Sequence, residues 1–83
     1  MKLVVYSIRD SKSEIFSQPM YMVTPGVAIR MFGDEVGNPN SNLNKHPEDF
    51  ALFRLGQFDD STGALESEVQ PVQIALALDF KKE

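Results

Sequence analysis

Thr24 to Asn40 reads TPGVAIRMFGDEVGNPN and carries both a helix start and a helix stop. Thr24 is a good N-cap, and Pro25 fits the first helical position, where its missing N–H does no harm. Ala28, Met31, Phe32 and Val36 then fall at helical spacing, with Arg30 and Asp34 on the other side. Gly33 sits inside this run at a cost of about 1 kcal/mol relative to alanine. Gly37-Asn38-Pro39-Asn40 supplies a C-terminal glycine and then a proline that cannot continue the helix.

The flanks read as strands. Lys2 to Arg9 places Val4, Tyr6 and Ile8 on one face and Leu3, Val5 and Ser7 on the other. Apolar groups on both faces predict a central position in a sheet. Asp10 to Ser13 is a turn, Glu14 to Ser17 has no clear type, and Pro19 favours an edge. Met20 to Val23 reads as a second strand.

Beyond the helix, Ser41 to Lys45 reads as polar loop, and His46 to Asp49 as a tight turn or single helical turn. Phe50 to Phe58 is an aromatic and aliphatic strand. Asp59 to Gly63 follows as a hairpin loop, in which Gly63 can supply a left-handed residue. Ala64 to Val69 is the return arm, and Pro71 resets the chain. Residues 72–80 fit two readings. Ile74, Leu76, Leu78 and Phe80 alternate as in a strand, whereas a proline before an Ala- and Leu-rich run starts helices. Strand is favoured for the first half, and Lys81-Lys82-Glu83 reads as a solvated tail. The expected architecture is a single α+β domain, residues 1–83: a small, mostly antiparallel sheet with one principal helix packed on it.

A chain of 83 residues buries only about 60% of its unfolded surface, so a monomer is marginally stable. With no cysteine, disulfides and thiolate zinc sites are excluded, and one histidine makes a dedicated metal site a poor expectation. Self-association into a homo-oligomer is the remaining aid to stability. No apolar stretch approaches the roughly 20 residues of a membrane span, and the N-terminal run is too short for a signal peptide. The chain is therefore expected to stay in the compartment where it is made.

Candidate sites weigh lightly. His46 with Pro47, Glu48 and Asp49 looks like a turn capping its own backbone, and Asp59-Asp60 like loop carboxylates satisfying nearby amides. The glycines lack any phosphate-cradling spacing. No catalytic residue, metal or cofactor is expected, and the chain is not read as an enzyme. For nucleic acid the candidate residues are Lys2, Arg9, Lys12, Arg30 and Arg54, with Tyr6 or Tyr21 as stacking partners. Phe16 and Phe53 could stack as well, although Phe53 reads better as core. If Tyr6, Arg9 and Arg54 share one exposed face, they form a basic–aromatic strip. The net charge of −4 argues against binding driven by phosphate contacts.

Ser7 to Lys12, Ala28-Ile29-Arg30, His46 to Phe50 and Leu55 to Gly63 together resemble the small nonstructural protein of gokushovirus-type microviruses, which are single-stranded DNA phages. The resemblance runs over nearly the whole chain, in order and at similar spacing. It implies a phage protein made in the cytoplasm of the infected bacterium and absent from the mature virion. It further implies binding of viral single-stranded DNA during genome replication or packaging, with no catalytic residues. The alternative is a protein-interaction module or assembly factor that docks on a viral replication or capsid protein.

Overall fold

The computed structural model describes residues 1–81. Its central strand is β1, Lys2–Asp10, as its two apolar faces predict. On one side β1 pairs antiparallel along its whole length with β4, Phe50–Asp59. On the other it pairs with two short strands, β2 at Ile15–Phe16 and β3 at Met20–Met22. The last strand, β5 at Leu65–Leu76, lies outside β4. The turn from β1 to β2 is held by Asp10, whose carboxylate accepts from Lys12 N–H at 2.9 Å and Ser13 Oγ at 3.0 Å. Ser7 is fully buried, and its hydroxyl donates to the Ser17 carbonyl at 2.7 Å, which ties the link between β2 and β3 to the central strand.

Helix α1 spans Pro25–Val36, with the Thr24 hydroxyl accepting from Val27 N–H at 3.3 Å. Ala28, Phe32 and Val36 are its buried stripe, and Met31 is half-buried. They pack on Val4, Tyr6 and Ile8 of β1, on Met20 and Met22 of β3, and on Phe50 and Leu52 of β4. Gly33 has a local reason. A Cβ there would press on the Phe80 ring, which crosses the helix and meets Phe32 edge to face at 5.8 Å. Gly37 ends the helix in the ordinary right-handed region, φ −76°, with no left-handed cap.

Two expectations need correction. Ser41 to Lys45 is not loop throughout: Asn42–Lys45 forms a short helix, α2, capped by the Ser41 hydroxyl, with Leu43 buried. Four residues with one apolar group carry no readable period. Asn44 Nδ2 donates to the Val36 carbonyl at 2.8 Å, so this turn satisfies an orphan acceptor of α1. Pro71 does not reset the chain either, because β5 runs through it. An edge strand tolerates proline, and here the four residues Glu68 to Pro71 stand against the single Leu55 in a wide bulge. Residues 72–80 divide, with strand in the first half as favoured: strand continues to Leu76, and a 3-10 turn, Ala77–Phe80, then buries Ala77 against the helix layer. Lys81 is exposed, and the rest of the predicted tail lies outside the described residues. Among these residues no helix is long and apolar enough to cross a membrane.

A second bulge, in β4, matters most for the surface. Val5 stands opposite Gly56 and Tyr6 opposite Arg54, so Leu55 is an extra residue. Gly56 is buried between β1 and β5, and a Cβ there would run into the Glu66 carbonyl oxygen. Gly63 differs: φ is +76° and the space around it is open. Tyr6 is fully buried, and among the described residues its hydroxyl finds no hydrogen-bond partner. Burial pushes the phenol pKa up, with the Arg54 charge pulling the other way.

Three stability outcomes follow. Gly56→Ala is expected to cost about 1–3 kcal/mol by forcing strands apart, whereas Gly63→Asn leaves the urea midpoint nearly unchanged because asparagine tolerates the left-handed region. Tyr6→Phe removes an unsatisfied polar group and is expected to stabilise by about 1 kcal/mol, a rise of roughly 4–8 °C in Tm. An unchanged or lower Tm would show that the hydroxyl is satisfied in solution.

Candidate nucleic-acid interface

All of the helix layer lies on one side of the sheet, because the core side chains of β1, β3 and β4 point that way. Residues opposite one another in register share a face. The uncovered face is therefore made of four rungs across the sheet. From one end, Leu3 stands with Phe58 and Leu65, and Tyr21 with Val5, Gly56 and Ser67. Next come Ser7 with Phe53 and Gln73, and then Phe16 with Arg9, Ala51 and Leu76.

Four aromatic rings lie on this face, in two edge-to-face pairs. Phe16 meets Phe53 with centroids 5.4 Å apart, and Tyr21 meets Phe58 at 5.7 Å. Each pair joins strands that flank β1 on opposite sides, so its two rings reach toward each other across the central strand. The rings are only partly covered: Tyr21 is 49% exposed and Phe16 37%. The Arg9 guanidinium lies 5.8 Å from the Phe16 ring centroid, in cation–π range. Beside Tyr21 is a groove of about 170 Å³ lined by Val5, Pro19, Leu55, Gly56 and Leu65, with Glu66 and Ser67 of β5.

Charge is distributed unevenly. In a chain of net charge −4, the rung positions hold one charged side chain, Arg9, and no carboxylate. Glu48 and Asp49 stand at the rim, where they border a shallow cavity shared with Arg9, Phe53 and Gln73.

The seven sequence-derived candidates do not converge. Arg9 and Tyr21 reach the uncovered face. Tyr6 is in the core beneath the helix layer and out of reach of any base. Arg54 stands opposite Tyr6 on the helix side, with Nε 2.9 Å from Glu68 Oε2. The expected strip of Tyr6, Arg9 and Arg54 along one exposed face is therefore not formed. Lys2, Lys12 and Arg30 are exposed, but they lie on the strand start, the first turn and the outside of α1, with no shared surface. Phe53, which reads as core, is half-buried on the uncovered face, and Phe58, also half-buried there, carries no sequence signal that sets it apart as a stacking residue. The alternation in β4 hides that pair, because residues five apart share a face only when a bulge intervenes.

The other candidates are turns. His46 heads the 3-10 turn Pro47–Asp49, and its carbonyl accepts from Asp49 N–H at 3.0 Å. Side-chain donor atoms of His46, Glu48 and Asp49 come within 4.8 Å of one another, but none of the three residues is buried. Asp59 Oδ1 accepts from Ser61 N–H at 2.9 Å, a bond that holds its carboxyl below the usual carboxylate range. Asp60 Oδ1 lies 2.8 Å from the Met1 amino group.

No curated protein and no solved structure matches this chain. The family described as Phage ORF5 protein matches residues 3–80, from β1 to the closing 3-10 turn. The match takes in every strand, both helices and all four aromatic rungs, and so the chain belongs to the Phage ORF5 protein family of bacteriophages.

Proposed function

We propose that this phage protein binds viral single-stranded DNA on the uncovered face of its sheet, without catalysis, in genome replication or packaging. The observation that carries the reading is the composition of that face: four partly exposed rings, one arginine and no carboxylate at the rung positions of an acidic chain, with Glu48, Asp49 and Glu66 kept to the rim. Bases stack on ring faces whatever their identity, at about 1–3 kcal/mol each in single-strand binders. Stacking needs unpaired bases, so the face discriminates against duplex. It also lowers the weight of the net charge, since few phosphates need be contacted. The resemblance to the nonstructural protein of gokushovirus-type microviruses supports the same reading, and with it a role in the host cytoplasm. Self-association would multiply a weak site.

A second reading is favoured by β5. Val69 is fully exposed at the tip of its bulge, and Leu65, Val72 and Leu76 are exposed along the same edge strand. Docking on a viral replication or capsid protein would cover such a strip.

Anisotropy titrations with single-stranded and duplex oligonucleotides at two salt concentrations separate the readings. Stacking predicts a preference for the single strand. With one or two phosphates neutralised at about −0.7 per contact, the log–log salt slope should be near −1. There is no tryptophan and Tyr6 is buried, so binding should quench Tyr21 fluorescence. Phe16→Leu and Tyr21→Leu should each weaken binding by about 1–3 kcal/mol, Arg9→Ala by less, and Tyr6→Phe not at all. Absence of binding at low salt and high micromolar protein would sink the DNA reading and direct attention to the β5 edge.

A further inference from the structure

We infer that the uncovered face has two separate base-stacking stations and takes a segment of about three to five unpaired nucleotides; this rests on the stacking reading above. Each aromatic pair is edge to face, and Phe16 and Tyr21 are 37% and 49% exposed, so each pair keeps ring surface accessible to a base. The first station is Phe16 with Phe53, beside Arg9. The second is Tyr21 with Phe58, beside the groove.

Their spacing follows from the register. Phe16 and Phe53 stand at the level of Arg9 and Ser7 of β1, and Tyr21 and Phe58 at the level of Val5 and Leu3. The two midpoints are four residues apart, or about 13 Å at the rise of a strand. Between them β1 carries no ring of its own on this face: Ser7 and Val5 are buried, and the Ser7 hydroxyl is bonded to the Ser17 carbonyl. A stacked single strand rises about 3.4 Å per nucleotide, so about 13 Å is four steps, and fewer if the strand is drawn out. A dinucleotide reaches one station. A pentanucleotide laid along β1 reaches both, and its second contact is made at the high effective concentration that a short tether provides. Arg9, at the far end of the first station, is placed to meet a phosphate.

The test is competition by unlabelled oligothymidylates of two to ten nucleotides against a labelled single strand, with the intact protein. Affinity should rise at least about tenfold between dT2 and dT5, and less than about twofold between dT6 and dT10. Tyr21→Leu or Phe16→Leu keeps apolar bulk but removes a ring face, and each should abolish the rise while leaving dT2 binding within about twofold. Far-ultraviolet circular dichroism checks that both variants fold. Binding of dT2 as tight as that of dT8 would overturn the two-station footprint, as would a steady rise to dT10, and either would leave the stacking reading standing. No binding at any length would remove both.

Discussion

Between Arg54 and Gly56 the central strand pair carries one residue more on β4 than on β1, and the face of every later side chain depends on that difference. Side chains in a strand alternate, so a single added residue moves all that follow to the opposite side. Leu52 and Phe50, before the bulge, point into the helix layer, as the core requires. Phe58, after it, is carried to the same face as Phe53. Gly56 permits the arrangement because any Cβ would meet the Glu66 backbone. The aromatic surface is thus a product of backbone register, and the core and the surface are set by one local irregularity.

The same register segregates chemistry by side. The helix side receives the aliphatic stripe of β1 and the one tyrosine that nothing solvates, and the other side receives rings that stay partly wet. Some of the carboxylates that make the chain acidic serve turns: Asp10 and Asp59 each accept from a backbone amide of the loop that follows them. A negative total therefore says little about the local field over the aromatic rungs, where Arg9 is the one charged side chain and Glu48 and Asp49 stand at the rim. Ionic attraction is weak on this surface, and contact with flat apolar groups is what it can supply.

Much of the fold was legible because it rests on strong local signals. Thr24-Pro25, the spacing of Ala28, Phe32 and Val36, and the two-faced apolar pattern of β1 each have one good structural reading. The Asp59 to Gly63 hairpin is another such signal, and Gly63 is left-handed as a bulged turn requires. What escaped was decided over longer range. The α2 turn is too short to show a period, and Pro71 was tolerated because β5 is an edge. The site was the least legible part. Tyr6 and Tyr21 look alike as residues in strands. They differ because Tyr6 alternates with Val4 and Ile8 under the helix, while Tyr21 stands between the two methionines that point there. The Val4, Tyr6 and Ile8 stripe was visible in the sequence and could have placed Tyr6 in the core. Nothing in the sequence marks the Leu55 bulge.

Each aromatic pair joins a ring from the first 21 residues to one from β4: Phe16 with Phe53, and Tyr21 with Phe58. β1 meets β3 within a span of some 14 to 18 residues, but it meets β4 only 40 to 57 residues further along the chain. Loops of that length close late and slowly compared with helix formation. A growing or partly folded chain can hold β1, β3 and α1 together and still show no complete ring pair. The surface comes into being only when the two halves of the sheet zip, so a chain cut or stalled before β4 has no partial version of it.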